Sequence, residues 1–244
     1  MRHTGPMPVH RTARARARAA ITDEIMNEAR RQLAADGAAA LSLRSIAREL
    51  GMVSSAIYRY VDSRDDLLTR LIIEAYDSLG DVAEATVAGS AGQPDDERWV
   101  ITALAVRGWA LARRHEYMLL YGTPVPGYAA PDDTVAPGTR VTLALLSIVR
   151  DARNGGRLAQ PAHVLATPPE LAGDLDRLAS IVELDVPAST FVAVLAAWTQ
   201  LFGLVSFELS NQTRGVVEDH AALLAATARL GARSIGLTDR STAT

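Results

Sequence analysis

Polar side chains that suit contact with an anionic or hydrogen-bonding surface are concentrated between residues 42 and 64 of this 244-residue chain. Short serines are interspersed there with arginines and tyrosines. An arginine guanidinium can bind a phosphate or the edge of a guanine, and serine and tyrosine hydroxyls can bond phosphate oxygens. The candidate residues are Ser42, Arg44, Ser54, Ser55, Ala56, Tyr58, Arg59, Tyr60 and Arg64.

Two short helices joined by a glycine turn are predicted to position this group. Ser42 suits the cap of the first helix, Gly51 suits its end, and the second helix is expected over residues 54–60. The apolar positions that would hold the two helices together are Ile46, Ala47, Leu50, Ile57 and Val61. In a helix-turn-helix, the second helix enters the major groove of DNA while the first crosses the phosphate backbone. The pattern therefore predicts a helix-turn-helix.

Four segments of this region resemble the DNA-binding domain of the TetR family in order and spacing. They are Ile46-Ala47, Gly51-Met52, Ile57-Tyr58-Arg59-Tyr60-Val61 and Ser63-Arg64-Asp65-Asp66-Leu67. The chain departs from the family pattern at Val53, Tyr60 and Arg64, where the family has serine, histidine and lysine. The resemblance implies a transcriptional regulator that binds double-stranded operator DNA as a homodimer.

The layout predicts two sets of DNA contacts. Arg44, Ser54, Ser55 and Tyr58 are expected near base edges, and Ser42, Tyr60 and Arg64 near phosphates. Arg44 is the best candidate for a guanine edge, and the alternatives for it are a phosphate contact or a solvated side chain. Ala56 is short enough to touch a thymine methyl group.

Composition and periodicity indicate an all-α protein. Hydrophobic residues make up 48% of the chain and aromatic residues 5%, and the apolar residues recur at helical spacing. We expect an N-terminal three-helix helix-turn-helix domain followed by a larger helical ligand-binding and dimerisation domain. The expected boundaries are a basic arm at 1–19, the DNA-binding domain at 20–66, the ligand-binding and dimerisation domain at 67–237 and a tail at 238–244. The first helix is predicted from about residue 20 to residue 36.

Charge is distributed unevenly along the chain, whose net charge is −3. Residues 1–70 contain 12 Arg and 8 Asp or Glu, which gives +4, whereas residues 71–244 contain 13 and 20, which gives −7. Only the N-terminal part is therefore expected to attract a polyanion. The alternating Arg and Ala from residue 11 to residue 18 could enter an adjacent minor groove, or could belong to a functionless tail.

The sequence offers little for catalysis or for cofactor binding. It contains no cysteine, which excludes disulfides and thiolate chemistry and suits a reducing cytoplasm. His115 and Glu116 are neighbours in sequence and so diverge by about 100° around a helix. We find neither a helical histidine pair for zinc nor a glycine-rich phosphate loop. We expect no enzyme activity, no catalytic residue, no metal and no cofactor.

Two C-terminal helices predict a homodimer. The segments 188–209 and 217–237 are apolar enough to need a partner surface, and four such helices can form a twofold interface. Residues 186–207 carry no charge and are long enough to cross a bilayer. Pro187, Ser189, Thr199 and Gln200 interrupt this segment, which favours a buried or dimer helix over a membrane span.

Aromatic residues in the C-terminal part are candidates for the lining of an effector cavity. The candidate ligand-binding residues are Trp109, Tyr117, Tyr121, Trp198, Phe202 and Glu208, with His220 as a second polar group. Aromatic residues at helical spacing also occur in ordinary cores, and Glu208 or His220 could instead form a salt bridge or an interface pair.

The stretches 121–128 and 198–204 resemble a TetR subgroup named for a Trp, His and Gly signature. Trp198 and Gly203 fit that signature, while Phe202 stands at the histidine position. These features together predict a repressor that a small, largely apolar ligand releases from its operator. The alternatives are a constitutive DNA-binding dimer and a dimeric scaffold without a ligand response.

Overall fold

A computed structural model describes residues 13–160 and 167–237, and within these ranges the regular structure is entirely helical. The α-helices are α1 (Ala13–Asp36), α2 (Leu43–Glu49), α3 (Arg64–Gly89), α4 (Asp95–Ala112), α5 (Arg114–Tyr121), α6 (Val135–Asn154), α7 (Ala172–Val182), α8 (Ala188–Leu209) and α9 (His220–Ile235). Short 3₁₀ turns cover Ala38–Ala40, Ile57–Arg59, Asp132–Thr134 and Pro169–Leu171. The all-α prediction is confirmed.

The chain divides into two compact units. The first contains α1, α2, the start of α3 up to Ile72, and Pro124–Ala130. The second begins at Ile73 and continues from Pro131 through the C-terminal helices. The division falls inside α3, later than the expected boundary at residue 66, because the first two turns of α3 supply the buried Leu67 and Leu68 to the first unit.

Helix α1 begins at Ala13 and not near residue 20. The predicted arm over residues 1–19 is therefore wrong for residues 13–19, which are helical, while residues 1–12 lie outside the described residues. Alternating Arg and Ala are both good helix formers, so this segment extends the helix at little cost. The tail predicted at 238–244 also lies outside the described residues.

The first unit is built on the apolar face that the sequence predicts. Ile46 and Ala47 of α2 are fully buried, as are Ile57 and Val61 in the segment that follows. Leu50 is only half-buried. Burying a large aliphatic side chain contributes about 1.5 to 3 kcal/mol, so these contacts fix the spacing of the two elements.

The second unit has one continuous core, which includes residues from α3, α4, α6, α8 and α9. Helices α8 and α9 approach closely at Gly231, where a Cβ atom would lie 2.8 Å from the Cβ of Ala197. Helix α4 is fastened to α6 by the buried Arg98, which is bonded to Asp95 and, at 2.9 Å, to Asp151. The bidentate pair of Arg157 with Asp95 completes this network.

Helix α3 is fastened within the second unit by Arg140 of α6. The Arg140 guanidinium bonds the carboxylates of Asp77, Asp81 and Glu84 at distances of 2.5 to 3.0 Å. These acids lie on one stripe of α3, and the arginine crosses that stripe at Gly80. A Cβ atom at Gly80 would lie 2.8 Å from both the Cβ and the Nε of Arg140. A glycine is therefore needed for this approach.

We predict that Gly80→Ala and Gly108→Ala have opposite effects on stability. Gly108 lies in α4, where a methyl group added at this position would meet nothing within 4 Å, so alanine should raise the free energy of unfolding by about 0.5 to 1 kcal/mol. At Gly80 the added methyl displaces the stem of Arg140, and the free energy of unfolding should fall by about 1 to 3 kcal/mol. Urea unfolding of both variants measures the difference, and stabilisation by both would contradict the close approach at Gly80.

Candidate nucleic-acid interface and ligand site

The first helix of the predicted DNA-binding pair begins and ends as expected. The Ser42 side chain accepts a hydrogen bond from the Ser45 N–H and so caps α2. Gly51 has a φ of 66°, a left-handed conformation that favours glycine, and the chain reverses there. The Met52 N–H then donates to the Ala47 carbonyl at 2.8 Å, which closes the turn onto α2.

The second element is shorter than predicted. It is a single 3₁₀ turn over Ile57–Arg59, preceded by a turn in which the Ala56 N–H bonds the Val53 carbonyl at 2.8 Å. No side chain caps the 3₁₀ turn at Ala56. The side chain of Val53 has no oxygen with which to accept an orphan N–H, so an α-helix over 54–60 lacks the side-chain cap that a serine would supply at this position. The fully buried Ile57 holds the turn in place.

Most of the predicted DNA-contacting residues of this segment are accessible. Arg44, Ser54, Ser55, Tyr58 and Arg59 are exposed, and Ser42, Ala56, Tyr60 and Arg64 are half-buried. Among the described residues, neither Arg44 nor Arg59 makes a side-chain hydrogen bond or ion pair. Their guanidiniums are therefore not committed to the described part of the fold.

Arg64 differs from the other candidates because its guanidinium is engaged inside the first unit. Its Nε donates to the Leu41 carbonyl at 3.1 Å, and its Nη2 donates to the carbonyls of Ala38 and Ala39 at 3.0 and 3.2 Å. The remaining Nη1 lies 3.7 Å from a carboxylate oxygen of Asp65. Arg64 thus braces the start of α3 against the segment between α1 and α2, and its predicted phosphate contact stays a prediction.

Tyr60 and the first turn of α3 are joined by a second set of contacts. Ser63 caps α3, since its hydroxyl accepts a hydrogen bond from the Asp66 N–H at 3.0 Å. Arg70 forms a two-bond pair with Asp66 and also donates to the Tyr60 carbonyl at 3.1 Å. Arg18 of α1 lies 5.5 Å from the centre of the Tyr60 ring, a cation–π distance. We call the second element, residues 54–60, the recognition segment. Its end at Tyr60 is therefore fixed to both α1 and α3.

In the second unit, four of the predicted ligand-binding residues form one aromatic cluster. The ring centres of Tyr121 and Phe202 are 4.4 Å apart, Tyr117 lies 5.0 Å from Tyr121, and Trp198 lies 5.5 Å from Phe202. Tyr76 of α3, which the sequence prediction missed, packs edge-on against Tyr121 at 6.1 Å. The only sequence signal for Tyr76 is its place in α3 directly after Ala75, which is buried.

The polar groups of the cluster differ in their partners. The Tyr117 hydroxyl is buried and bonds the Phe202 carbonyl at 3.0 Å and the Ser206 hydroxyl at 2.9 Å. The Trp198 Nε1–H is buried and has no hydrogen-bond partner among the described residues. Burial raises the pKa of Tyr76, Tyr117 and Tyr121, so these phenols stay neutral.

Trp109 and Glu208 lie in other surroundings. Trp109 is a core residue whose Nε1–H donates to the Ser78 hydroxyl at 3.0 Å. Glu208 forms a two-bond salt bridge with Arg107 at 2.6 and 2.7 Å. A salt bridge was one of the alternatives to ligand binding that the sequence allowed for Glu208. Within the described ranges neither residue makes a ring contact or a hydrogen bond with the aromatic cluster, so the structure brings four of the six predicted ligand-binding residues together and leaves Trp109 and Glu208 outside that cluster.

Glu208 and His220 line a small pocket between α8 and α9. His220 Nε2 lies 2.7 Å from the Thr213 hydroxyl. The pocket holds about 10 Å³ of space for a water-sized molecule, which is enough for roughly one water. Its lining residues are Leu204, Val205, Glu208, Thr213, His220, Leu223 and Leu224. Within the described ranges no three metal-ligating side chains come together.

The fold and the exposed recognition segment define the class of the protein as a helix-turn-helix DNA-binding regulator. Residues 25–71 match the family of bacterial regulatory proteins of the tetR type, and residues 99–230 match the tetracyclin repressor-like C-terminal domain. The chain therefore belongs to the TetR family of transcriptional regulators. The narrower likeness to the Trp-His-Gly subgroup stays a prediction.

Similar proteins agree with this membership. The regulators Mb1846 of Mycobacterium bovis and Rv1816 of Mycobacterium tuberculosis are each 38% identical over 199 residues, which cover 80% of this chain and 83% of theirs. Both are described as HTH-type transcriptional regulators. The crystal structure of SCO4313, a proposed regulatory protein, is 34% identical with a TM-score of 0.71 and covers 90% of this chain and 98% of its own. PfmR of Thermus thermophilus, at 16% identity and a TM-score of 0.55 over 88% and 98% of the two chains, shares the fold.

We predict that Arg64→Met destabilises the protein, whereas Arg59→Met weakens DNA binding. Loss of the Arg64 guanidinium leaves three backbone carbonyls without their donor, and the free energy of unfolding should fall by about 1 to 2 kcal/mol. Arg59→Met removes an exposed charge and should leave the unfolding temperature unchanged. It should lower the salt slope of DNA binding by about 1 per subunit if Arg59 contacts phosphate. The bracing role of Arg64 would be contradicted if Arg64→Met weakened DNA binding at unchanged stability while Arg59→Met lowered the stability.

Proposed function

We propose that this protein is a cytoplasmic homodimeric repressor that binds a pseudo-palindromic operator and is released from it by a small, largely apolar ligand. The observation that carries the DNA-binding part is the pair of exposed, unengaged guanidiniums of Arg44 and Arg59 on a frame fixed by buried contacts. Rigid scaffolds that present free donors are suited to reading base edges and phosphates. Family membership supports the regulatory role and favours a regulator over an enzyme.

The proposed base contacts come from the exposed residues of α2 and of the recognition segment. Arg44 is positioned to donate two bonds to guanine, and Ser54, Ser55 and Tyr58 offer shorter-range contacts to neighbouring base pairs. Ser42, Tyr60 and Arg59 are proposed at phosphates, and Ala56 at a thymine methyl. The arginine-rich first turns of α1 are helical. We therefore propose no minor-groove contact for residues 13–18 in this conformation.

Dimerisation is proposed through α8 and α9. Helix α8 is apolar enough to cross a membrane, yet only 39% of its most apolar stretch is buried within one chain. Leu195 and Phe207 of α8 and Leu230 of α9 are exposed at 37%, 55% and 61%. A second copy that covers these side chains would form a four-helix interface, and the apolar character of α8 is then explained without a membrane.

The ligand response is proposed to act through α3, which runs unbroken from Arg64 to Gly89 and supplies residues to both units. Tyr76 places this helix in contact with the aromatic cluster. A ligand that displaces the cluster would shift α3 and change the separation of the two recognition segments in a dimer. Half-sites one turn apart lie about 34 Å from each other, so a shift of a few ångströms prevents simultaneous binding. A coupling of about 1 to 3 kcal/mol would weaken operator binding roughly 5- to 150-fold.

The operator tests the DNA-binding proposal. Selection from random duplexes should yield an inverted repeat, and Arg44→Ala should cost about 1 to 3 kcal/mol of binding free energy and relax the preference at one position of each half-site. Arg177→Ala, which removes an exposed arginine of α7, is the matched control and should leave affinity unchanged. A uniform loss across all sequences would assign Arg44 to phosphate.

The same operator then serves in a screen for metabolites that cause release, and a failure of every bound compound to change affinity would favour the constitutive dimer.

The oligomeric state tests the proposed interface. Light scattering at micromolar concentration should give twice the chain mass of 26.0 kDa. Leu230→Glu places a charge in the apolar interface and should shift the particle towards the monomer, because an unpaired carboxylate is costly to bury. Ile181→Glu changes an even more exposed residue of α7, at 77%, and should remain dimeric. A wild-type particle of single-chain mass would rule out the dimer.

A further inference from the structure

The Trp198 indole is the one group of the aromatic cluster whose N–H is buried and unbonded among the described residues. The indole N–H can only donate a hydrogen bond. A buried donor without an acceptor is destabilising, since it has lost its bond to water and gained none in return. The indole of Trp109, in the same unit, is buried as well but is satisfied by Ser78. The other buried donor without a partner among the described residues is the Nε of Arg98, which belongs to the ion-pair network with Asp95 and Asp151 and not to the aromatic cluster.

The indole that carries this donor packs against the aromatic cluster, and part of that cluster is accessible although the donor atom is buried. Tyr117 and Phe202 are buried, whereas Tyr76, Tyr121 and Trp198 are half-buried and form the accessible edge of the cluster. The rings are tilted against each other by 37° to 85°, so both ring faces and ring edges are presented. Planar rings pack well against such a mixture of faces and edges. Because the phenols stay neutral, the cluster offers no formal charge with which a charged ligand could form an ion pair.

We propose that Trp198 Nε1 is the specificity-determining donor of an effector site for neutral, flat aryl compounds that carry a carbonyl acceptor. The ring of the ligand would pack among Tyr76, Tyr121 and Phe202, and its carbonyl oxygen would accept the Trp198 hydrogen bond. This inference rests on the proposed ligand response, because it names the chemical class of the ligand. Entry requires the edge of the cluster to open, since the rings are in contact with one another in this structure.

The test uses two small probes of nearly equal shape on the full-length, DNA-free protein. Acetophenone has the carbonyl acceptor, and α-methylstyrene has a methylene group in its place. Proton–nitrogen NMR of the indole groups should show the Trp198 N–H resonance moving downfield on titration with acetophenone, while the Trp109 resonance stays in place. This readout needs no variant. An unmoved Trp198 resonance at 10 mM acetophenone would overturn the proposal.

A pair of variants tests the role of the donor directly. Trp198→Phe keeps an aromatic ring and removes the N–H, and Trp109→Phe is the matched control because its N–H is already satisfied. The ratio of the two probes' dissociation constants cancels changes in packing that affect both probes. Trp198→Phe should reduce the preference for acetophenone by about 5-fold or more, while Trp109→Phe leaves it unchanged. An unchanged ratio in Trp198→Phe would overturn the proposal.

Operator release is measured separately, so the two proposals can fail independently. If acetophenone and larger aryl ketones bind in a Trp198-dependent manner but never release the operator, the site stands and the ligand response fails. If a ligand releases the operator with equal affinity for wild type and Trp198→Phe, the response stands and the role of Trp198 is overturned.

Discussion

The fastening of the first turn of α3 is the interaction on which the DNA-binding unit depends. Arg64 crosses back to three carbonyls between α1 and α2, and Arg70 holds the Tyr60 carbonyl. Hydrogen bonds to a charged donor are worth about twice those between neutral groups, and a guanidinium can make several of them in a fixed geometry. A recognition segment of only one 3₁₀ turn has little helical stability of its own. These arginines and the buried Ile57 provide the rigidity that the short segment lacks.

Arginine forms the salt bridges throughout the molecule, because the chain contains no lysine. Arg140 binds three carboxylates of α3, Arg107 pairs with Glu208, and Arg98 and Arg157 share Asp95. Each of these guanidiniums joins two elements that apolar packing alone would leave free to slide. Arg44 and Arg59 make no such bond within the described residues, and neither do a few exposed arginines elsewhere in the chain. What distinguishes Arg44 and Arg59 is their position on the helix-turn-helix, where a free guanidinium is available to a base edge or a phosphate.

The second unit combines a continuous core with two buried donors that have no partner among the described residues, the Nε of Arg98 and the Nε1 of Trp198. Tyr117 has both an acceptor and a hydroxyl partner, so it fixes α5 against α8. Trp198, four residues before Phe202 on α8, shares the cluster but lacks an acceptor among the described residues. A ligand would have to replace the ring contacts of this cluster with its own, and in the proposal its carbonyl oxygen would supply the acceptor that Trp198 lacks. Helix α3 carries both Tyr76 and Arg64, and it is the element through which the proposed ligand response would act.

Local chemistry in the sequence was sufficient to predict the all-α fold, the helix-turn-helix, the cap at Ser42 and the extent of α8, because periodicity and side chains that bond their own neighbours are visible in a linear sequence. The start of α1 was misplaced because its arginine-rich segment is compatible with either an arm or a helix. The length of the second element was overestimated because the side chain of Val53 supplies no cap.

Contacts between residues distant in sequence, such as Arg64 with Leu41 and Arg107 with Glu208, were decided by the tertiary structure alone. Composition shows that such charges exist but not which partner each one reaches, since that depends on how the helices pack. Packing also separated two chemically identical indoles, because Ser78 gives Trp109 an acceptor and Trp198 is left without one. The sequence determined which side chains were available for function, and the packing of the helices decided which of them remained free to perform it.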